Sequence, residues 1–419
     1  MVGAIQGRFP GSRPLSLKWG SVMTRGDAPV VWLIAGTRPE AIKMAPVVQE
    51  MRRSGRLDPV LVATGQHPEL VDQVLAAFSL TPDLRLTLNR VDGGQPELFS
   101  QLVTGLDAIA EQRPPAAVLV QGDTTSTVAG AMVAFWRKIP VVHLEAGLRS
   151  FDLQSPFPED LNRRLVTQIA SLHLAPTPAA AQNLRAESID DSVLLVTGNT
   201  VVDAISRVTD RGVSFADSAV ADVVESATRG ECRLVLVTAH RRESWGEPLK
   251  RILSAVDTLL ARHPDVRVLL PMHPNPAVQE AVRKALAGHP RVVLTPALPY
   301  EQTAAAIAAS SLVLSDSGGI QEEAPTFKVP VLVLRDTTER MEAVNAGCAM
   351  LVGTDADLIV DTASKLLTDP ALRAAMSTRA NPFGDGRAAE RTEQAVAWLL
   401  GLTDEAPEPF VPERAEVVQ

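Results

Sequence analysis

Short apolar runs rich in valine, leucine and isoleucine alternate along the chain with segments of helical pattern. Such runs favour buried strands, and their alternation with helices is typical of βαβ units with parallel sheets. The pattern therefore predicts an α/β protein. The predicted strands are Val30–Ala35, Pro59–Ala63, Ala117–Gln121, Val141–Glu145, Val193–Val196, Leu234–Thr238, Val266–Leu270, Val292–Leu294, Leu312–Ser315 and Val331–Leu334.

The rhythm of predicted strands divides the chain into two halves. It lapses in the polar and alanine-rich stretch between Arg211 and Gly230, and it resumes at Cys232. We place the linker in this stretch or just before it, and predict Rossmann-like domains over residues 29–203 and 204–383 with a ligand in the cleft between them. Residues 384–403 are predicted to form a C-terminal helix that packs back on the first domain. We expect residues 1–28 to be a flexible extension and residues 404–419 a disordered tail.

Composition and charge narrow the class of partner. The 419 residues are 46% hydrophobic with a formal net charge of −9, so the protein as a whole repels nucleic acid and anionic membrane surfaces. No stretch approaches the roughly 20 apolar residues of a membrane span, and the N-terminal segment lacks the apolar core of a signal peptide. Cys232 and Cys348 fit neither a disulfide framework nor a zinc motif. We therefore predict a cytoplasmic protein without a metal centre.

A basic turn follows the first predicted strand, in the sequence GTRPEAIKMAP from Gly36 to Pro46. The first N–H groups of a helix that follows a parallel strand attract anions, and Arg38 and Lys43 add full positive charges. The turn therefore predicts a phosphate site, although a helix start with solvated basic side chains would have the same sequence. It matches neither the dinucleotide loop nor the Walker loop, so we expect no NAD cofactor.

Carboxylates follow the predicted strands of the first half. Asp123 comes after one strand, Glu145 ends the next, and Glu159 begins a helix after a proline-rich loop. Side chains at the carboxyl ends of neighbouring parallel strands converge on one crevice, where several carboxylates favour general acid–base chemistry. Asp123 is equally suited to cap a helix, and Glu159 to favour a helix N-terminus.

Two turns in the second half also favour an anion. The sequence HRRES follows a strand and places His240 and Arg241 at its carboxyl end, although a solvated turn is the alternative. The sequence SDSGGIQEE places Ser317, Gly318 and Gly319 where the backbone can approach a pyrophosphate closely, with Glu323 one turn later as an acceptor for ribose hydroxyls.

The ordered motifs of the chain resemble those of the non-hydrolysing UDP-N-acetylglucosamine 2-epimerases. The resemblance covers about residues 30–400 and implies a GT-B-like pair of Rossmann-type domains, a UDP-sugar in the cleft between them, and a homodimer. Small departures occur at Asp160, where a second Glu is common, and at Met341, where Pro is usual. The motifs that carry the resemblance are GTRPEAIKMAP, TGQH, GDTTST, HLEAGLRS, PEDLNRR, TGNTVVDA, HRRES, SDSGGIQEEAP and LRDTTER.

The resemblance also implies roles for individual residues. The catalytic carboxylates correspond to Asp123, Glu145 and Glu159, the histidine at the leaving diphosphate to His240, and the phosphate arginine to Arg38. We keep Lys43 as a further phosphate contact. The implied uridine and ribose contacts are Ser317, Gly318, Gly319 and Glu323.

The implied reaction is chemically consistent with these residues. The C2 proton of an acetamido sugar is not adjacent to a carbonyl, so expulsion of UDP must first create an oxocarbenium ion at C1 that acidifies this proton. Cationic groups would stabilise the departing diphosphate while carboxylates remove and return the proton. Three other activities remain open: a hydrolysing epimerase (or an epimerase of a modified UDP-sugar), a GT-B glycosyltransferase, and a non-catalytic UDP-sugar sensor.

Regulation is a further expectation from the resemblance, because some members of this family bind a second UDP-N-acetylglucosamine beside the active site. Gln66 and His67 end the second predicted strand at the same crevice, and Arg241 neighbours His240. We therefore expect these three residues to contact such an activator, although His67 followed by proline is also suited to begin a helix.

Overall fold

A computed structural model describes residues 28–210, 212–241 and 244–412 of the chain. The first half forms a seven-stranded parallel sheet in the order β3-β2-β1-β4-β5-β6-β7. Its central strands are buried on both faces, as the uninterrupted apolar sequences require. The strands are β1 (Val30–Ala35), β2 (Asp58–Ala63), β3 (Leu84–Arg85), β4 (Ala117–Gln121), β5 (Val141–Leu144), β6 (Leu172–Ala175) and β7 (Leu194–Val196).

Helices connect these parallel strands. Helix α1 lies against strands of this sheet and also packs on α7, while α3, α4 and α5 pack side by side. Apolar residues cover both faces of the sheet, so that β1 contributes to two clusters, with Val31 and Leu33 in one and Trp32 and Ile34 in the other. The helices are α1 (Arg38–Ser54), α2 (Pro68–Ala77), α3 (Gln95–Gln112), α4 (Thr125–Trp136), α5 (Glu159–Ile169), α6 (Pro178–Ala186) and α7 (Thr200–Thr209).

The second half forms a six-stranded parallel sheet in the order β10-β9-β8-β11-β12-β13. Its strands are β8 (Arg233–Thr238), β9 (Val266–Pro271), β10 (Val292–Thr295), β11 (Ser310–Ser315), β12 (Val331–Val333) and β13 (Ala349–Leu351). Its helices are α8 (Ser218–Thr228), α9 (Glu247–Arg262), α10 (Pro276–Leu286), α11 (Tyr300–Ala309), α12 (Gly318–Glu323), α13 (Met341–Asn345), α14 (Ala356–Thr368) and α15 (Pro370–Ser377), and α16 (Ala388–Leu399) follows.

The α/β prediction with two parallel sheets is confirmed, whereas the stretch proposed as a linker contains a helix. Helix α8 packs on strands of the second sheet because Val220, Val223 and Val224 form a buried stripe at helical spacing. The two sheets divide between β7 and β8, and the exact domain bounds remain a prediction.

Each sheet reverses its strand order once, and these two positions define where a ligand can bind. In the first sheet the chain builds outward from β1 to β3 and then continues from β4 on the other side of β1. In the second sheet the same change occurs between β8 and β11. Loops diverge at such switch points and leave a crevice beyond the carboxyl ends of the strands. The motifs around Arg38 and Asp123 therefore flank one crevice, and those around His240 and Ser317 flank the other.

The C-terminal helix α16 contacts the first half of the chain. Glu393 accepts from the Ser54 hydroxyl at 2.7 Å and pairs with Arg56 at the end of α1, while Asp203 of α7 accepts the N–H of Ala389 at 2.8 Å. Phe410 is buried, in contrast to the disorder expected for this part of the tail. Of the extension predicted over residues 1–28, residues 1–27 lie outside the described residues. No described helix is long and apolar enough to cross a bilayer.

Candidate functional site

A cavity of about 400 Å³ lies where the carboxyl edges of the two sheets face each other. Of the residues predicted from the sequence, Arg38, Lys43, His240, Ser317, Gly319 and Glu323 line it. Three residues that were not predicted as site residues, Tyr300, Glu322 and Arg340, line it as well. The cavity thus receives positive charge from both halves and carboxylates from the second.

The turn after β1 differs from the expectation in one respect. The Glu40 carboxylate accepts the backbone N–H of Gly36 at 2.9 Å and that of Thr37 at 2.7 Å. The sequence suggested that these N–H groups would bind a phosphate. In the structure they already donate to Glu40 instead. An anion at this turn would instead meet the side chains of Arg38 and Lys43, which both line the cavity.

Lys43 belongs to a buried cluster of charged residues rather than standing alone as a phosphate contact. Its ammonium pairs with Glu145 and lies 3.4 Å from Glu322 Oε2, which belongs to the second half of the chain. Burial alone would lower the pKa of Lys43, but the charges of the two carboxylates raise it above its usual value. Lys43 is therefore a permanent cation that contacts both halves.

Glu145 occupies a left-handed backbone conformation with φ of 62° directly after β5, which turns its side chain toward the cluster. Besides Lys43, its carboxylate accepts from Gln121 at the end of β4 and from Asn199 Nδ2 at 3.4 Å. Three donors thus fix the orientation of this carboxylate. Strained conformations of this kind concentrate at functional sites.

Glu322 is the carboxylate that the second half of the chain contributes to the cluster. It accepts from Arg340 Nε at 2.9 Å and from Asn199 Nδ2 at 3.3 Å. Burial alone would raise the pKa of Glu322, but the charges of Lys43 and Arg340 lower it below the usual value of 4.5. Asn199 therefore joins the carboxylates of Glu145 and Glu322, which face each other from opposite halves.

Asp123 lies beside α5 instead of in the charged cluster. Its carboxylate pairs with Arg163, and its backbone carbonyl accepts from Asn162 Nδ2 at 2.8 Å. Thr124, the next residue, is the N-cap of α4 and accepts the Thr127 N–H at 3.1 Å. The alternative that Asp123 caps this helix is therefore wrong, and its side chain is held by charge pairing.

Glu159 begins α5, one turn before Arg163. Its Oε2 is buried and has no hydrogen-bond partner among the residues that the structure describes. A buried carboxylate oxygen without a partner is costly, so it indicates a group suited to contact a ligand. Helix α5 thus places Glu159 on the same face as the arginine that pairs with Asp123.

Asp316, which was not predicted as a site residue, fixes the turn that carries His240. Its buried carboxylate accepts the N–H of His240 at 3.0 Å, the N–H of Arg241 at 2.9 Å and the hydroxyl of Ser244 at 2.8 Å. Asp316 follows β11, whereas His240 follows β8, so one side chain joins the loops on both sides of the second switch point. Its position between Ser315 and Ser317 is the signal that sequence reasoning passed over.

The His240 ring has a defined tautomer. Its Nε2 lies 3.1 Å from the carbonyl oxygen of Pro271, which can only accept, so Nε2 carries a proton. Burial lowers the pKa of the ring below its usual value of 6.5, although the charge of Asp316 opposes this. A phosphate that reaches Nδ1 would require the ring to gain a second proton.

The turn before α12 has small residues for steric reasons. A Cβ on Gly318 would lie 3.3 Å from the guanidinium of Arg340, so glycine lets this cation approach the backbone.

Burial and the neighbouring charge of Glu322 raise the pKa of Glu323 to about 8. Burial also raises the pKa of Tyr300 well above 10. Glu323 is therefore largely a neutral acid at pH 7.

The three residues expected at an activator site do not line the cavity described above. Gln66 Oε1 accepts from the Ser126 hydroxyl at 2.8 Å, which connects it to the first turn of α4. His67 is exposed and precedes α2, and Arg241 Nε donates to the Asp316 carbonyl oxygen at 3.0 Å. Gln66 thus contacts the helix that follows Asp123, and Arg241 contacts the residue that holds His240.

This arrangement supports chemistry on an anionic ligand. Arg38, Lys43 and Arg340 bring three cations to one cavity, and Ser317 and Glu323, at the two ends of α12, line it as well. Preorganised cations stabilise negative charge that develops on a leaving group. Glu322, which lines the cavity, and Glu145, which does not, form ion pairs with these cations. The described residues include no group of His, Cys, Asp and Glu arranged to hold a metal ion.

Comparison with known proteins identifies the family. The family model described as UDP-N-acetylglucosamine 2-epimerase matches residues 49–397. The UDP-N-acetylglucosamine 2-epimerase of Bacillus subtilis is 43% identical over 380 residues, which cover 91% of this chain and 98% of that protein.

Solved structures agree with this assignment. The UDP complex of MnaA from S. aureus has a TM-score of 0.83 and 39% identity, covering 91% of this chain and all of that chain. UDP-GlcNAc 2-epimerase from Neisseria meningitidis bound to UDP-GlcNAc has a TM-score of 0.79 and 39% identity, covering 89% of this chain and all of that chain. These neighbours share the GT-B-like pair of domains. The chain belongs to the UDP-N-acetylglucosamine 2-epimerase family.

Proposed function

We propose that this epimerase is of the non-hydrolysing kind and interconverts UDP-N-acetylglucosamine and UDP-N-acetylmannosamine. In the forward reaction the C1–O bond breaks and UDP leaves with the bonding electrons. A carboxylate takes the C2 proton, which leaves a 2-acetamidoglucal with a double bond between C1 and C2. Addition of a proton to C2 from the opposite face and of UDP to C1 completes the inversion. No electrons are gained or lost, so NAD is not required.

The observation that carries this proposal is that basic residues of the first half and polar residues of the second half line one cavity. Arg38 and Lys43 come from the first half, while His240, Ser317 and Gly319 come from the second. We assign the diphosphate to these groups and the ribose hydroxyls to Glu323. Asp123, Glu145 and Glu159 are assigned to proton transfer. Asp123 and Glu145 follow β4 and β5 at the carboxyl edge of the first sheet, and Glu159 begins α5, which also carries the arginine that pairs with Asp123.

Proton NMR in heavy water tests the proposal. At equilibrium, deuterium is expected at C2 of both UDP-N-acetylglucosamine and UDP-N-acetylmannosamine, and added NAD is expected to change nothing. Retention of the original hydrogen in the product would refute elimination. Accumulation of UDP with free N-acetylmannosamine would identify a hydrolysing enzyme instead. A non-hydrolysing epimerase would supply N-acetylmannosamine units for cell-envelope polysaccharide, which is the role we propose.

We also propose a homodimer that forms through α4 and α5. These neighbouring helices expose Phe135, Trp136, Leu161 and Leu165, which are between 39% and 56% accessible. Large apolar side chains clustered on one surface are typical of protein interfaces. Trp136→Glu is expected to halve the mass in sedimentation velocity. The control is Leu358→Glu, at a similarly exposed leucine on α14, which is expected to leave the mass unchanged. A monomeric wild type, or a dimer that tolerates Trp136→Glu, would refute this interface.

Activation by a second UDP-N-acetylglucosamine is the remaining proposal, with Gln66, His67 and Arg241 as its contacts. The links from Gln66 to Ser126 and from Arg241 to Asp316 support it, because they connect Gln66 to the helix that follows Asp123 and Arg241 to the residue that holds the turn of His240. Pure UDP-N-acetylmannosamine should then react only after a lag that added UDP-N-acetylglucosamine removes. Gln66→Ala is expected to weaken this effect more than it weakens UDP binding. A progress curve without a lag, and without a response to the addition, would contradict activation.

A further inference from the structure

Glu40 makes contacts that exceed what a helix cap needs. Its Oε2 accepts two backbone N–H groups of the turn after β1, as a glutamate at the third position of a helix commonly does. Its Oε1 faces away from α1 and accepts from the Thr124 hydroxyl at 2.6 Å, and the Thr127 hydroxyl lies 3.0 Å away. Both threonines belong to the start of α4. One carboxylate therefore joins the loops that follow β1 and β4.

These two loops carry different parts of the proposed reaction. Arg38, two residues before Glu40, belongs to the first loop and is assigned to the diphosphate. Asp123 immediately precedes Thr124 and is assigned to proton transfer. The separation of these two side chains sets the distance between the leaving group and the groups that handle the C2 proton. A misplacement of about 1 Å can lower a turnover rate about 10²-fold.

The surrounding packing shows that the loops meet without a gap. Glu40 is 1% exposed, and a Cβ on Gly36 would lie only 2.1 Å from Ser126 Oγ. Burial raises the pKa of the Glu40 carboxyl, and the four donors oppose this shift. A buried charge that is held by donors from two separate segments is costly to keep unless both segments stay in place.

Resting on the proposed elimination mechanism, we propose that Glu40 is a positioning residue that fixes the phosphate-binding loop of Arg38 against the loop of Asp123. It touches neither the substrate nor the reacting atoms. Its length matters because the carboxylate must reach both loops at once. Its charge matters less, because a glutamine of equal length has an oxygen for the two backbone N–H groups and an amide for the threonine hydroxyls.

The chain offers a matched control in Glu97. This glutamate stands at the same position of α3 and accepts the N–H of Val91 at 2.6 Å and of Gly93 at 3.0 Å. All of its partners belong to its own loop or helix, so it caps without joining two loops. Glu97→Asp therefore measures the cost of shortening a capping glutamate alone.

The test compares Glu40→Asp, Glu40→Gln and Glu97→Asp with the wild type. Glu40→Asp cannot span both loops, so its kcat is expected to fall about 10²-fold, while the UDP dissociation constant from calorimetry stays near that of the wild type. Glu40→Gln is expected to keep most of the activity. Glu97→Asp is expected to keep kcat, whatever its effect on the thermal midpoint.

Two isotope measurements separate positioning from general damage. Scrambling of ¹⁸O from the sugar-bridging position of UDP-N-acetylglucosamine reports C1–O cleavage, and deuterium entry at C2 reports proton transfer. In Glu40→Asp, deuterium entry is expected to fall more than scrambling. Arg38, which is assigned to C1–O cleavage, would still reach the diphosphate, whereas Asp123, which is assigned to proton transfer, would no longer be aligned with it. Equal losses in Glu40→Asp and Glu40→Gln, a parallel loss of UDP binding, or an equal loss in Glu97→Asp would overturn the proposal.

A second variant keeps the test decisive if Glu40→Asp does not fold. Thr127→Val removes one hydroxyl from the far side while the backbone N–H contacts of Glu40 remain, and it is expected to lower kcat with UDP binding intact. Unchanged kcat in this variant would overturn the proposal. Deuterium entry is measured first in the wild type, because its absence there would refute the elimination mechanism itself. If deuterium enters in the wild type and the Glu40 variants have an unchanged kcat, only the role of Glu40 is refuted.

Discussion

Replacement of Lys43 by methionine tests the charged cluster between the two halves. The wild-type cluster is neutral, since Lys43 and Arg340 balance Glu145 and Glu322. Methionine preserves the aliphatic length of lysine but removes the charge, and it leaves the cluster with one excess negative charge. The variant should therefore lose stability through electrostatics more than through packing.

The expected magnitude follows from the geometry. Two unit charges separated by the 3.4 Å between Lys43 Nζ and Glu322 Oε2 attract by about 5 kcal/mol at an effective dielectric constant of about 20. Removing one partner of a buried pair typically costs about 3–5 kcal/mol. Arg340 still contacts Glu322, and two amides still contact Glu145, so we expect the free energy of unfolding to fall by about 3 kcal/mol.

The double variant with Glu322→Gln provides the control, because it restores neutrality. Each single variant leaves one uncompensated charge, whereas the pair leaves Glu145 and Arg340. The double variant is therefore expected to be more stable than the sum of the single losses by about 1–3 kcal/mol. Urea unfolding at pH 7, followed by tryptophan fluorescence, measures all four proteins.

The pH dependence gives a second check on the same reasoning. The pKa of Glu322 is lower in the folded protein than the usual 4.5, so its ion pairs contribute stability above that value and lose it as the pH falls through the folded pKa. The difference between the wild type and Lys43→Met should be complete at pH 7 and shrink below about pH 4.5. Additive losses in the cycle, or a difference that stays constant to pH 3, would refute the electrostatic account.

Three further substitutions address the proposed reaction. Asp123→Asn should fold normally and lower kcat by about 10²- to 10⁴-fold, the usual range for a group that transfers protons; full activity in steady-state assays would contradict this role. Arg38→Ala should raise the UDP dissociation constant and also lower kcat, because we assign Arg38 to the leaving group both before and during cleavage; calorimetry and initial rates separate the two effects. UDP affinity should rise with pH through about 8 as the Glu323 carboxyl ionises and accepts from ribose hydroxyls, and Glu323→Gln should remove this rise.

The sequence predicted the sheets well where strands are long and apolar. Strand β1 has the predicted bounds, because six consecutive apolar residues leave no other way to bury them. Strand β6 (Leu172–Ala175) was missed because it is short and contains His173, and burial lowers the pKa of that ring to about 4, which leaves it neutral in the core. An apolar run identifies a strand less reliably when it includes a titratable residue, because the sequence does not show that burial keeps this side chain uncharged.

The site was predictable as a set of loops but not as a set of contacts. The carboxyl ends of parallel strands bring Arg38 and His240 to one cavity, which the strand pattern alone indicates. The pairing of Lys43 with Glu322 depends on how two separately folded sheets face each other, and no local pattern encodes that relation. The sequence also could not show that the N–H groups of Gly36 and Thr37 donate to Glu40, because a capping glutamate and a phosphate compete for the same N–H groups.

The contact between the two halves connects the proposed nucleotide site with the carboxylates that we assign to proton transfer. Glu322 and Glu323 are adjacent on α12, so a nucleotide that engages Glu323 also constrains Glu322. Glu322 in turn orients Lys43 and shares Asn199 with Glu145. If the halves separated by more than the reach of these side chains, Lys43 would retain only Glu145, and Asn199 could not contact both carboxylates. The separation of the two sheets therefore sets whether Lys43 and Asn199 divide their contacts between Glu145 and Glu322, and a ligand that changes this separation acts on Glu145 without touching it.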